Sequence, residues 1–320
     1  MVDNIYSSTS NPLVSIVIVN YNGKHFLADC LNSIKKYATL PHEVIIVDNA
    51  STDGSCEYLQ KYFPNVNLIS STKNLGFAGG NNFGAKKATG KYLLLLNNDT
   101  VLLTNIKIAI SEFEKDEQLG VLGCKLLYGN KSTQPSYGYE HTPLSLLFSW
   151  LGLSNLIKVP KLLKRVEIDE ANYRIPQHDV AWVSGAFLMT KTTLWHQLGG
   201  TDERYFMYIE DVDFCRCVRD LGFRVAYIPN VEIIHYEGAG REWIGPRALE
   251  WSMRSYIIYT QKYSGIFWAW FVRIGLSIIM LLRVLAYFLI TILKKSTICK
   301  EKRIGYLRAV FQLLVKGTRL

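Results

Sequence analysis

Tyr92-Leu93-Leu94-Leu95-Leu96-Asn97-Asn98-Asp99 sets an unbroken apolar run directly against a polar triplet with one carboxylate. Five apolar residues without alternation read as a strand buried on both faces, as in a parallel sheet covered by helices. Ligands in open α/β sheets bind beyond the carboxyl ends of the strands. Asp99 therefore stands where a divalent metal and a phosphate would meet. A plain turn also accounts for the triplet taken alone, because Asn and Asp favour turns.

The flanking sequence repeats the theme. Val14–Val19 reads as a buried strand ending at Asn20-Tyr21-Asn22-Gly23, with a helical pattern from about Lys24 to Tyr37. Val44–Val47 is a second strand, ending at Asp48-Asn49-Ala50-Ser51-Thr52-Asp53-Gly54 before a helix to about Phe63. Val66–Ile69 is a short third strand, and Asn74-Leu75-Gly76-Phe77-Ala78-Gly79-Gly80-Asn81 leads into a helix to Ala88. Strands alternating with helices at this spacing predict βαβ units and a mostly parallel, Rossmann-like sheet with three polar loops at one edge. Residues 130–179 lack clear periodicity and read as a functional loop or lid. Phe187–Met189, Val225–Ile228 and Glu232–His235 read as short strands, and Asp211–Leu221 as a helix.

The 320 residues suffice for about two domains. The basic charge is concentrated. After Leu293, eight Lys and Arg face the single acid Glu301, carrying +7 of the formal net +9. Ile266–Leu293, just before, holds only Arg273 and Arg283 as charges. An apolar segment followed by a basic one suggests an anionic membrane face. No nucleic-acid module accompanies the charge, so nucleic acid is not expected as a partner. Pro246–Tyr263 reads as an amphipathic helix. Ile266–Leu293 exceeds the roughly 20 residues a span needs. Arg283 near mid-depth favours a helix pair that enters one leaflet or lies in the interface. A clean span and a buried core helix are the competitors. The polar N-terminus lacks an apolar signal region, which places the main body in the cytoplasm. Six scattered cysteines form no metal spacing and read as free thiols.

Several residues suggest chemistry. Asp48 at a strand end would accept the imide N–H of uracil or thymine, although a turn or cap role fits it too. Gly79-Gly80-Asn81 at a helix start would let backbone N–H groups approach an anion, and a tight turn explains the pair equally well. Glu210-Asp211 opens a helix whose dipole favours carboxylates, and it also suits a general base on a rigid element. Asp211 and Asp213 point apart on a helix and do not share an ion. His235 is either structural or completes a metal site with Asp99.

Together these motifs resemble the family 2 glycosyltransferases of the GT-A fold, and within them the rhamnosyltransferase-like enzymes of bacterial cell-surface polysaccharide assembly. The resemblance covers about Pro12 to Arg241. It rests on Val17-Ile18-Val19-Asn20-Tyr21-Asn22, residues 47–54 and 74–81, Leu96-Asn97-Asn98-Asp99, Trp182-Val183-Ser184-Gly185-Ala186 and Glu210-Asp211-Val212-Asp213.

The resemblance implies a donor site of Asn20, Tyr21, Asp48, Asn49, Gly79, Gly80, Asn81, Asn97 and Asn98. Tyr21 and Asp48 would hold the base, and Gly80 would lie along the ribose–diphosphate. Asn97-Asn98-Asp99 replaces the family's DxD, so Asp99, with Asn97 and His235, would hold Mg²⁺ or Mn²⁺. Asp211 would be the catalytic base with Glu210 beside it. Trp182, Ser184 and Gly185 would shape the acceptor side.

Two departures stand out. Asn97 is a weaker ligand than Asp. The family's Arg, six residues beyond the base, is Cys217 here, with Arg216 next to it.

One base and one metal suffice for in-line displacement, which inverts the anomeric centre. The expected reaction is transfer of one sugar from a dTDP- or UDP-linked donor to a lipid-linked or oligosaccharide acceptor. The expected place is the cytoplasmic face of the inner membrane. Arg241-Glu242-Trp243 only vaguely matches the Gln-x-x-Arg-Trp of processive members, so single addition is expected. The implied organisation is a polar tail over 1–11, a catalytic domain over 12–245 with an acceptor-side insert at 130–180, and membrane-associated helices over 246–320.

Two rivals remain. A sugar nucleotidyltransferase would want a Gly-rich, basic loop after the first strand, which Asn20-Tyr21-Asn22-Gly23 does not supply. An anchored sugar-nucleotide-binding or scaffold protein with a decayed site would form no product.

Overall fold

The computed structural model describes residues 11–155, 159–236, 245–294 and 297–316. Residues 1–10 of the polar tail, Arg241-Glu242-Trp243, Lys295 and Arg319 lie outside them.

The chain forms two compact units, and their boundaries are discontinuous in sequence. The first comprises residues 1–138, 166–203 and 210–240, and the second residues 139–165, 204–209 and 241–320. The expected insert at 130–180 is thus divided between the two.

The first unit is built on βαβ units. Its first half runs β1 (Val14–Asn20), α1 (Lys24–Tyr37), β2 (His42–Asp48), α2 (Ser55–Tyr62), β3 (Asn67–Ser70), α3 (Gly76–Ala85), β4 (Tyr92–Leu96), β5 (Thr100–Leu102), α4 (Lys107–Lys115) and β6 (Leu119–Leu127). β7 (Thr133–Gln134) and β8 (Tyr137–Gly138) follow. After α5 (Pro143–Trp150) of the second unit come β9 (Trp182–Val183), β10 (Phe187–Lys191), α6 (Thr192–Leu198), α7 (Glu210–Asp220) and β11 (Arg224–His235).

The main sheet has the order β3-β2-β1-β4-β10-β6-β11-β5, with β7 paired to β6. β1 pairs in parallel with β2 and β4, β2 with β3, and β6 with β11, whereas β10 is antiparallel to both β4 and β6. The mostly parallel α/β sheet expected from the apolar runs is therefore present. All five residues of β4 are buried.

Three details differ from expectation. Val225–Ile228 and Glu232–His235 are one strand, β11, whose pairing with β6 slips between Ile228 and Glu232. β5 begins right after Asp99 and pairs with β11 at the far edge of the sheet. α3 begins at Gly76, so Gly79-Gly80-Asn81 lies within the helix rather than at its start.

The second unit contains α5, α8 (Pro246–Ser264), α9 (Ile266–Lys294) and α10 (Thr297–Phe311). α9 packs against α5, α8 and α10. Ala269, Val272, Leu276, Ile279 and Met280 form its buried side. Its other side is apolar too: Phe267, Ile274, Ile278, Leu285 and Leu289 are exposed, and only 22% of its most apolar window is buried. A core helix would be covered all round, so that competitor does not fit.

Candidate active site

The carboxyl ends of β1, β2, β4, β6 and β11 and the turn entering antiparallel β10 share one edge of the sheet. Asn20 is a hub there. Fully buried, it accepts from Asn98 Nδ2 at 2.8 Å and donates toward Asp48 Oδ1 at 3.4 Å and Ser51 Oγ at 3.2 Å. Asp48 Oδ2 also accepts the Ser51 N–H at 3.0 Å. Asn49 donates to Asn74 Oδ1 and to the Gly76 carbonyl, and its Oδ1 accepts the Leu75 N–H at 2.8 Å. Asn20, Asn49 and Asn98 thus hold the loops to one another. Tyr21 is 52% exposed at the same edge, where its ring is open to stacking.

Gly80 has a packing reason for being glycine. A Cβ there would lie 2.8 Å from Val19 Cγ1, and one at Gly84 would lie 2.6 Å from Val17 Cγ1. Both positions let α3 rest directly on β1. Asn81 Nδ2 donates to the Phe77 carbonyl inside α3, and Asn81 is buried. Gly80 and Asn81 thus have structural roles of their own in α3.

The edge pairing explains why Asp99 and His235 meet across 136 positions. The chain leaves β4 at Leu96 and re-enters the sheet as β5, where Thr100 pairs with His235. The Tyr236 N–H closes the step on the Asp99 carbonyl at 2.9 Å. His235 Nε2 then lies 3.4 Å from Asp99 Oδ1 and 3.1 Å from Asn97 Nδ2. Its Nδ1 faces Gln134 Oε1 at 3.2 Å. Asn97 Oδ1 is buried with no hydrogen-bond partner among the described residues.

No group of three His, Cys, Asp or Glu that could hold a metal occurs among the described residues. Asp99, His235 and the unsatisfied Asn97 oxygen nevertheless form a donor set suited to a hard divalent ion. Mg²⁺ is typically held by one or two carboxylates plus substrate phosphates.

The second constellation lies at α7. The Gly185 N–H donates to Asp211 Oδ2 at 2.9 Å, and the Val212 N–H to Oδ1 at 2.8 Å. A Cβ on Gly185 would sit 3.1 Å from Phe77 Cε1 and 3.5 Å from Asp211 Cβ, so glycine lets the turn, α3 and α7 converge. The same turn is tied to the metal-side loop, since the Asn97 N–H donates to the Ala186 carbonyl at 3.2 Å. Ser184 Oγ accepts the Ala186 N–H, and the buried Trp182 sits on β9 with 8% of its surface accessible. Arg216 Nε donates to Asp220 at 2.8 Å on the same helix. The chain enters α7 through Tyr208 and Ile209 at φ of 68° and 74°. A β-branched residue is an outlier in that region, and such strain persists where the surroundings impose it.

Burial, and then the neighbouring Asp211 charge, push the Glu210 carboxyl well above the ordinary Glu value, and burial also raises Asp211. Of the two, Glu210 is the more strongly biased toward its protonated form. Because its pKa is raised in the fold, Glu210 costs stability as pH rises from about 4.5 toward its folded value. Glu210→Gln should melt higher than the parent protein, by a margin that grows from pH 5 to pH 8 in thermal unfolding. An unchanged margin across that range would show that Glu210 is not held protonated.

A mostly parallel sheet with a carboxylate–histidine pair and a held Asp at its carboxyl edge has the form of a ligand site of an open α/β fold. The chain belongs to glycosyl transferase family 2: the model of that family matches residues 15–179, just over half its length. Within the family it is similar to the N-acetylglucosaminyl-diphospho-decaprenol L-rhamnosyltransferase of Mycobacterium tuberculosis. The two are 26% identical over 275 residues, covering 79% of this chain and 86% of that one. It is also 22% identical to the rhamnosyltransferase WbbL of Escherichia coli over 259 residues, 78% of this chain and 93% of that one. The solved mannosyltransferase PcManGT of Pyrobaculum calidifontis, in complex with GDP-Man and Mn²⁺, shares the fold. That likeness has a TM-score of 0.53 at 16% identity and covers 97% of this chain and 88% of that one. Asp211 and His235 fall beyond residues 15–179.

Gln134 and Phe77 escaped the sequence reading. Gln134 lies in a two-residue strand, too short for any periodic pattern to show.

Proposed function

We propose that this glycosyltransferase is inverting and non-processive. It would move one hexose, rhamnose from its dTDP form first and a UDP-linked hexose next, onto a lipid-linked glycan. The observation that carries this is the Asp211 carboxylate, fixed by the Gly185 N–H at 2.9 Å at the start of α7, with the buried Glu210 beside it. One positioned base of raised pKa is what an acceptor hydroxyl needs, because it must lose its proton as the new bond forms. Glu210, buried at 5% exposure, is not placed to act as a second, covalent nucleophile. Asp99, His235 and Asn97 would hold a divalent metal, which when bound neutralises the diphosphate leaving group. The names of the rhamnosyltransferase relatives favour the donor and the lipid-linked acceptor.

The reading is tested by mass spectrometry of products from a panel of dTDP-, UDP- and GDP-sugars with bacterial lipid extract. A single added hexose is expected. Release of free nucleotide sugar from a nucleoside triphosphate and a sugar 1-phosphate would favour the nucleotidyltransferase. No product from any donor would favour the scaffold protein.

The helical unit supports a place on an anionic cytoplasmic leaflet. The exposed side of α9 is apolar, and α10 adds Lys300, Lys302, Arg303 and Arg308. The Arg283 guanidinium donates to the Trp150 carbonyl at 2.6 Å and Tyr306 Oη at 3.1 Å, and lies over both rings. Arg273 donates to the Leu313 carbonyl. Both charges inside the apolar helix are thus engaged within the unit. α5 rides on α9, with Leu147 against Gly275 and Trp150 at Arg283, which favours a helix lying in one leaflet over a span.

Ile274 and Ile278 are 53% and 54% exposed. Burying half of such a side chain contributes about 1 kcal/mol. Ile274→Asn with Ile278→Asn should weaken binding to phosphatidylglycerol vesicles ~30-fold, with the melting temperature little changed. Parent-like binding in a vesicle flotation assay would remove this face from the membrane reading.

A further inference from the structure

We propose that Gln134 is a positioning residue that sets the tautomer of His235 and so builds the metal-binding face of Asp99, Asn97 and His235. The inference rests on the metal reading above and adds to it a residue from a different strand.

A neutral imidazole carries one proton, and the partner of one ring nitrogen decides the state of the other. Gln134 Oε1, 3.2 Å from His235 Nδ1, can only accept, so the proton belongs on Nδ1. Nε2 then carries the lone pair, which lies 3.4 Å from Asp99 Oδ1. Two acceptors that close repel unless something positive lies between them. Asn97 points Nδ2 at Nε2 from 3.1 Å and leaves its own Oδ1 buried and unsatisfied. Rotating that amide by half a turn exchanges the two atoms. The oxygen then faces Nε2, and Asn97, His235 and Asp99 offer three acceptors to one cation. Metal-bound histidines almost always donate their other N–H to an acceptor, and loss of that acceptor typically costs 10–100-fold in metal affinity.

The local fold is arranged to deliver this side chain. Gln134 is 8% exposed and belongs to β7, which folds back on β6 with Gln134 opposite Leu126. The reversal runs through Lys131 at φ of 66°, with its N–H on the Tyr128 carbonyl at 2.7 Å. Pro135 follows directly and holds Gln134 in extended backbone. The strand therefore stops where its last side chain reaches His235.

The experiment compares the parent protein with Gln134→Met and Gln134→Glu. Met fills the volume without an acceptor, and Glu restores one. Mn²⁺ affinity is measured by electron paramagnetic resonance with UDP and with dTDP. The histidine tautomer is read from long-range ¹H–¹⁵N spectra of the metal-free protein, with His235→Ala giving the assignment. We expect Gln134→Met to bind Mn²⁺ 10–100-fold more weakly, Gln134→Glu to recover to within about 3-fold of the parent, and His235 to carry its proton on Nδ1 only where an acceptor is present. Metal-free nucleotide binding should stay the same in all three.

Parent-like Mn²⁺ binding by Gln134→Met would overturn the proposal and leave the metal reading intact. So would a loss in Gln134→Glu as large as that in Met, an Nε2–H tautomer in the parent, or loss of metal-free nucleotide binding in Gln134→Met. Absence of Mn²⁺ binding by the parent with either nucleotide would overturn both.

Discussion

Asp211→Asn is expected to lower sugar transfer by at least about 100-fold, the low end of what a positioned general base contributes, which corresponds to ~2.7 kcal/mol of barrier. The exchange preserves shape. An Asn can present its oxygen to the Gly185 N–H, now 2.9 Å from Oδ2, and so keep the turn and α7 together. What it loses is basicity. Burial raises the Asp211 pKa, which makes the ionised form a stronger base than an exposed aspartate. The acid limb of the parent kcat/KM profile should accordingly lie above the ordinary Asp range. UDP and dTDP affinity should be unchanged, because the loops of Asn20, Asp48 and Asn49 do not include Asp211. Near-normal turnover in the variant would remove Asp211 from the mechanism. Lost nucleotide affinity would mean the variant disturbs the site as a whole.

The parts of this site that could be read from the sequence are those where local chemistry and global position coincide. The apolar runs of β1, β2 and β4 could only be strands covered on both sides, and polar residues just past them had to gather at one edge. Asp99 and Asp48 follow from that ground, whereas the Ser184-Gly185-Ala186 turn follows only from the family resemblance. What could not be read depends on where the chain goes next. Nothing in Thr100-Val101-Leu102 says that it crosses to the far edge, yet that step brings Asp99 to His235. Leu119–Leu127 contains Gly120 and Gly123, which break its apolar pattern. The structure shows why each is there: a Cβ at Gly123 would meet Val183 at 2.5 Å, and one at Gly120 would meet Phe223 Cβ at 2.7 Å. Gly80 carries a packing demand that the local pattern does not show, since a Cβ there would lie 2.8 Å from Val19 Cγ1. The apolar patch around Leu146 and Trp150 looked like part of a lid, because its packing partners come more than 100 residues later in α8 and α9.

Asp99→Ala should abolish most of the gain in nucleotide affinity that Mn²⁺ provides, about 100-fold or more, given the several kcal/mol a bound metal contributes at a diphosphate. Metal-free binding should be left as it was. The fold should hold, since the Asp99 backbone carbonyl that accepts the Tyr236 N–H is kept in the variant. His235→Ala should act in the same direction but less severely, because the carboxylate supplies the charge and the imidazole only a lone pair. Asn97→Asp offers a test of opposite sign. It replaces a neutral amide, whose oxygen lies buried and unsatisfied, with a second carboxylate beside Asp99. Without metal the two like charges repel, and the variant should be less stable than the parent. With Mn²⁺ the added ligand charge should tighten binding by about 10-fold and reverse that loss. Calorimetric titration of UDP and dTDP with and without Mn²⁺ measures all three variants. If Asp99→Ala and Asn97→Asp both bind nucleotide with the parent's metal dependence, or if chelator-treated parent transfers sugar at full rate, no metal sits at this pair. The diphosphate charge would then have to be met by Lys or Arg side chains.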